Sequence, residues 1–198
     1  MSGKFIVLEG IDGAGTTTQA ELIGERLGFA ITREPSRGPI GRTIRELLSG
    51  GDVDERAMAL LFAADRIDHL RAEILPELAR GRHVLSDRYV LSSIAYQSLA
   101  VERAFVVEIN RFAPAADLTI FVRAPVDVAE RRRASRGAVE RYEYRALQER
   151  IAANYEAELL HVPNLVIVDG TRTVEEVFAE CRRAIESCIG AGGGSSSA

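Results

Sequence analysis

The chain alternates short apolar runs with longer stretches of helical periodicity. Five runs read as strands: Phe5–Glu9, Phe29–Thr32, His83–Asp87, Leu118–Val122 and Leu165–Val168. Each is a near-continuous apolar block rather than an alternating one, the pattern of a strand covered on both faces. Between them the periodicity predicts helices near 17–27, 39–49, 54–80, 91–112, 125–135, 143–160 and 173–189. Pro125 suits a first helical turn, and Asp54 or Thr173 would cap a helix start. Such alternation predicts an α/β fold of three layers, a parallel five-stranded sheet with helices on both faces. Ligands of these sheets sit at the carboxyl ends of the strands. There the chain places Glu9-Gly10, Thr32-Arg33-Glu34-Pro35 and Ser86-Asp87-Arg88-Tyr89, rich in charge that a buried sheet does not need.

Composition narrows this picture without changing it. A chain of 198 residues, 46% hydrophobic and 27% charged, fits one globular domain over 1–189, followed by a flexible Gly/Ser tail at 190–198. A net charge of −4 argues against general nucleic-acid affinity. No apolar stretch approaches the roughly 20 residues of a membrane span. The first strand starts too early to leave room for a signal peptide, so the cytoplasm is the expected location. Cys181 and Cys188, seven apart on one face of the last predicted helix, read as packing residues, and His69, His83 and His161 lack ligand spacing.

The chemistry begins at Gly10-Ile11-Asp12-Gly13-Ala14-Gly15-Thr16-Thr17, between the first strand and the first helix. That is the context in which G-x-x-x-x-G-K-[ST] forms a phosphate-binding loop (P-loop). Glycines let successive N–H groups turn inward onto an anion, and the helix N-terminus adds partial positive charge. Thr17 falls where a hydroxyl would ligate Mg²⁺. The lysine position holds Thr16. The only lysine of the chain is Lys4, at the far end of the strand and roughly 20 Å away, so a replacement charge must come from arginine or the metal. By analogy with single transition-state donors, losing that contact costs roughly 3–4 kcal/mol, or about 10²–10³ in rate. Asp87, closing the third strand, is suited to hold Mg²⁺ directly or through water, and Arg88 beside it would place a phosphate next to the metal.

Taken together, these residues resemble a known family. Leu85-Ser86-Asp87-Arg88-Tyr89-Val90-Leu91-Ser92-Ser93-Ile94-Ala95-Tyr96-Gln97 is similar to the signature of thymidylate kinases. Glu9–Gly15, Thr32-Arg33-Glu34-Pro35 and Leu61-Phe62-Ala63-Ala64-Asp65-Arg66 agree in order and spacing. With the arginine-bearing segment at 131–143, the resemblance runs through most of the chain. It implies a P-loop NTPase fold, a homodimer, and transfer of the ATP γ-phosphoryl to thymidine monophosphate with Mg²⁺.

The resemblance also implies roles for residues. Asp12 would receive the deoxyribose 3′-hydroxyl, and Phe62 would stack on the thymine, a contact of about 1–3 kcal/mol. Arg66, Gln97 and Ser93 would meet the base edge, and Tyr96 would lie under the sugar and crowd out a 2′-hydroxyl. Arg33 and Arg88 would clamp the acceptor phosphate, with Glu34 orienting them. Taken singly, Phe62 and Tyr96 read as packing residues and Arg33 as a surface turn; their joint placement at strand ends favours a site.

The segment Arg131–Glu143 resembles the family's lid over ATP, about 132–143, in which Gly137 breaks the helix after Arg136. In one branch of the family the lid, not the P-loop, supplies the catalytic arginine. Gly13 stands where the other branch has an arginine, so this chain resembles the lid-arginine branch. Arg136 is the foremost candidate, with Arg132 and Arg141 as helpers at ATP. Two alternatives stay open: a kinase for another nucleoside monophosphate, and a nucleotide-binding protein that lost turnover with its lysine. Arg136→Ala is expected to lower turnover at least about 10²-fold, and steady-state kinetics with unchanged turnover would remove the lid from the account.

Overall fold

The computed structural model describes residues 3–135 and 142–191. Five strands, β1 (Phe5–Glu9), β2 (Ala30–Arg33), β3 (Val84–Asp87), β4 (Leu118–Arg123) and β5 (Leu165–Asp169), form one parallel sheet in the order β2-β3-β1-β4-β5. The central strands are apolar throughout because both faces are covered. From β1, Ile6 and Leu8 enter a core with Ile23, Ile151, Phe178 and Ile185, while Phe5 and Val7 enter a second one with Leu70, Ile74 and Val84. β2 and β5 lie at the edges and are only partly covered.

The α-helices of the described residues are α1 (Thr16–Leu27), α2 (Pro39–Leu48), α3 (Glu55–His69), α4 (Leu75–Ala79), α5 (Val90–Gln97), α6 (Arg103–Ile109), α7 (Val126–Ala134), α8 (Tyr142–Glu158) and α9 (Val174–Ala191). Asp54 caps α3 by accepting from the Arg56 and Ala57 amides. Thr173 caps α9 while Glu176 reaches back to the Thr173 amide, a reciprocal pair.

Four expectations change. The helix expected over 54–80 widens into a π-helical turn at Leu70–Ile74 before α4, because Pro76 has no N–H to give and its ring crowds the preceding turn. The helix expected over 91–112 is two helices. The chain tightens after Gln97 through bonds from Leu99 to Tyr96 and from Ala100 to Gln97, and this break buries Val101. Pro125 precedes α7 as its N-cap with extended backbone rather than joining its first turn. Helix α9 extends to Ala191, so the first two residues of the expected tail are helical.

Since β2, β3 and β1 are neighbours, the segments leaving their carboxyl ends meet: the phosphate loop at 10–15, the turn at 34–38, and Arg88-Tyr89 leading into α5. The crossing point of the topology lies beside β1, where a sheet of this kind opens a crevice. Gly13 has φ +92°, and a Cβ there would collide with the Ala129 carbonyl of α7. Gly28 has φ +74° but nothing within 4 Å of such a Cβ. Gly28→Ala therefore carries backbone strain alone, roughly 1–2 kcal/mol, whereas Gly13→Ala adds a clash of about 1–3 kcal/mol. Thermal melts should show the larger fall for Gly13→Ala, by roughly 5 °C over Gly28→Ala; equal falls would mean that α7 does not press on the loop.

Candidate active site

The phosphate loop has the geometry its glycines predict. Gly13 and Gly15 are left-handed, at φ +92° and +108°, and Ala14 closes a turn onto the Ile11 carbonyl. Helix α1 follows with no side-chain cap and no acidic residue in its first turn, so its leading amides face the loop with their partial positive charge uncancelled. Thr16, at the lysine position, is buried. A cation nevertheless reaches the loop: Arg132 of α7 donates from a guanidinium nitrogen to the Ala14 carbonyl at 3.1 Å. Arg136 and Arg141 lie outside the described residues.

Thr17 donates to Oδ2 of Asp87 at 2.7 Å. The other oxygen, Oδ1, is buried without a partner among the described residues. A hydroxyl beside a half-satisfied carboxylate, next to a phosphate loop, is a donor set suited to a hard cation such as Mg²⁺.

Arg88 occupies the centre. Its backbone is left-handed, φ +78°, unusual for a side chain with a Cβ and a mark of a functional position. The guanidinium donates to Asp12 Oδ1 at 2.6 Å, to Ser92 Oγ at 3.2 Å and to the Tyr155 hydroxyl at 3.3 Å, and lies over the Tyr96 ring at 5.1 Å. Burial opposes its charge, yet Tyr155, Tyr96, Asp12 and Glu9 together hold its pKa above the ordinary arginine value. Glu9, fully buried at the end of β1, accepts from the Tyr89 amide at 2.9 Å, from the Ser92 amide at 3.2 Å and from the Ser92 and Tyr155 hydroxyls. It thereby caps α5, which has no cap of its own. Burial raises the Glu9 pKa, and the Ser92 bond and Arg88 oppose that rise.

Two cavities share Asp12, Glu34 and Arg88 in their linings. One, of about 430 Å³, is lined by Asp12, Thr17, Arg33, Arg37, Asp87 and Arg88. The other, of about 510 Å³, is lined among others by Phe62, Arg66, Ser93, Tyr96, Gln97 and Gln148. All the expected acceptor residues, Asp12, Arg33, Glu34, Phe62, Arg66, Arg88, Ser93, Tyr96 and Gln97, lie on one or both. Burial raises the Tyr96 phenol pKa well above its usual value, and its hydroxyl, like Oε1 of Gln97, is buried without a protein partner.

One expected relation is corrected. Glu34 was expected to orient Arg33 and Arg88, but its carboxylate pairs with Arg66 at 2.6 Å and meets His69 at 3.4 Å. The period of two along an extended chain explains this: Thr32 and Glu34 face α3, whereas Arg33 between them faces outward. Arg66 is itself 1% exposed and also donates to Ser93 at 2.9 Å and to Asn110. Asp65, one residue earlier, holds the 34–38 turn through the Ser36 amide and hydroxyl.

Several site residues escaped the sequence reading. Arg37 shares the phosphate-side cavity, and Arg45 donates to the Pro35 and Ser36 carbonyls and so braces the turn. Tyr144 donates to Asp12 Oδ2 at 2.9 Å, and Gln148, 1% exposed, has an unpartnered Oε1. A signal existed for these two: 144, 148, 151 and 155 form one stripe of α8, and three of its four members, Tyr144, Gln148 and Tyr155, are polar or amphipathic where a core stripe would be apolar.

The chain is similar to known proteins in sequence and in fold. The family profile described as Thymidylate kinase matches residues 8–181. A Pyrobaculum aerophilum protein named "Probable thymidylate kinase" is 43% identical over 188 residues, covering 93% of this chain and 97% of the relative. One of the same name from Pyrococcus abyssi is 40% identical over 193 residues, with coverages of 91% and 94%. Among solved structures, the thymidylate kinase of Candida albicans superposes with a TM-score of 0.83 at 24% identity, covering 94% of this chain and 92% of that one, a likeness of fold. The chain belongs to the thymidylate kinase family.

Proposed function

We propose that this protein transfers the γ-phosphoryl group of ATP to thymidine monophosphate, supplying the diphosphate for thymidine triphosphate synthesis. The observation that carries the proposal is Arg88. It joins a phosphate loop to a nucleoside-sized pocket, bonded to Asp12 of the loop and stacked on Tyr96 of the pocket.

The residues divide the work. The loop amides and the first turn of α1 bind the donor phosphates. Phe62 and Tyr96 sandwich the acceptor nucleoside, Gln97 and Ser93 read its base with Arg66 behind them, and Asp12 receives the sugar hydroxyl. Arg33 and Arg88 hold the acceptor phosphate by its oxygens, with Arg37 at the same cavity. An oxygen of that phosphate attacks the γ-phosphorus, the bond to the β-bridging oxygen breaks, and its electron pair leaves on ADP. The acceptor phosphate arrives already ionised, so the chain positions and neutralises rather than removing a proton.

Thr17 and Asp87 are the residues that fit Mg²⁺. The ion, when bound, offsets charge developing between the β- and γ-phosphates. Arg132 stands in for part of the missing lysine, and its contact with the Ala14 carbonyl supports this. Arg136 and Arg141 of a lid at about 132–143 supply the rest by family resemblance. That lid belongs to one kinase domain over 1–189.

The protein acts in the cytoplasm as a homodimer in this reading. Among the described residues no helix is long and apolar enough to cross a membrane. Leu60 and Ile67, seven apart on α3, are half exposed, and Val107 is partly exposed on α6, which packs against α3; this apolar surface suits a second copy.

Thr16 also favours a second reading, a pocket that binds nucleotides without turnover. A coupled assay of ADP release separates the two. Turnover with Mg·ATP and thymidine monophosphate, well above that with the uridine, deoxycytidine and adenosine monophosphates, is the expected result. Tight calorimetric binding of both nucleotides with no turnover would instead leave a binding protein. Thr16→Lys should change turnover by less than about threefold if the arginines have taken over, whereas a rise near the roughly 10²-fold worth of one lost donor would reveal an unrepaired defect.

A further inference from the structure

We propose that Tyr144 is a positioning residue for the acceptor, its phenol fixing the Asp12 carboxylate in the orientation that receives the sugar hydroxyl. The inference rests on the acceptor role given to Asp12 above. Both carboxylate oxygens of Asp12 are gripped, and from different elements. Arg88, at the end of β3, donates to Oδ1 at 2.6 Å, and Tyr144, in the first turns of α8, donates to Oδ2 at 2.9 Å. The Asp12 side chain is 39% exposed, so packing alone does not fix its rotamer. Two opposed hydrogen bonds do, leaving the remaining lone pairs turned toward the shared cavity that Tyr144 also lines.

The same ring carries a second contact. The Arg133 guanidinium of α7 lies over it at 4.1 Å, and Arg133 Nε is buried without a hydrogen-bond partner among the described residues, so the ring face holds this charge. Helix α7 thus touches both substrates' sites: through Arg132 on the phosphate loop, and through Arg133 on the residue that steadies Asp12. Burial and the Asp12 charge push the Tyr144 phenol up to about 12, so at neutral pH it stays a donor. The carboxylate that meets the acceptor is therefore set in place from the element that meets the donor.

Tyr144→Phe tests this, because it keeps the ring and the Arg133 stack and removes only the hydroxyl. The expected loss of kcat/KM for thymidine monophosphate is about tenfold, the worth of a hydrogen bond to a charged acceptor. The 3′-deoxy analogue offers Asp12 no hydroxyl and should lose less than about twofold, so the preference for the 3′-hydroxyl collapses. Calorimetric affinities of both monophosphates give the same comparison without turnover. Equal losses on the two acceptors would assign Tyr144 a merely structural role, and no change or a gain for thymidine monophosphate would mean that it competes with the sugar for Asp12. Any of these overturns the proposal. A wild-type protein that binds both monophosphates but phosphorylates neither would overturn the kinase reading, while the pair of affinities still decides the role of Tyr144.

Discussion

The site is organised around one charge that the fold cannot leave unpaired. Arg88 stands in a left-handed backbone conformation at the end of β3, its guanidinium walled by Asp12, Ser92, Tyr155 and the face of Tyr96. Removing such an ion from water costs several kcal/mol unless its donors are satisfied and opposite charge lies close. Glu9 and Asp12 provide that charge, Glu9 through the Ser92 and Tyr155 hydroxyls and Asp12 directly. Meeting this requirement brings together the ends of β1 and β3, the start of α5 and the buried stripe of α8. Those are the elements whose junction forms the cleft.

A second pair, this one fully buried, does similar work on the nucleoside side. Arg66 is enclosed by Glu34, Ser93 and Asn110 and stacks on Tyr89 at 5.1 Å. Glu34 leads the turn that Asp65 and Arg45 brace, and Ser93 belongs to the helix that Arg88 precedes. The two arginines therefore line one cavity. Ion pairs whose partners come from different elements hold the walls of a pocket in register, which is what positioning chemistry requires.

Much of this was legible in the chain because it is local. The five strands announce themselves as unbroken apolar runs, and the phosphate loop is set by glycines and by its place between strand and helix. What escaped depended on tertiary partners. Whether Glu34 serves Arg33 or Arg66 is decided by which face of the chain meets α3, and the break after Gln97 by a core position waiting for Val101. The spacing of Tyr144 and Gln148 with Ile151 and Tyr155 marks a buried stripe, but only the packing of α8 against the cleft shows that its polar members face a site. The absent lysine was legible as an absence, but its partial substitute, Arg132 on the Ala14 carbonyl, needed the packing of α7 against Gly13 to be seen.

The central claim is that Arg88 acts by a fixed, forked geometry and not by charge alone. Its most direct test is the kcat of Arg88→Lys, which keeps the positive charge but cannot bridge Asp12, Ser92 and an acceptor phosphate at once. The account predicts a fall of about 10²-fold or more, the scale of a lost transition-state donor, in a protein that has a lower thermal midpoint than the parent but is still folded at the assay temperature. Turnover within a few-fold of the parent would contradict it, because a point charge would then suffice and the cage around Arg88 would be structural only.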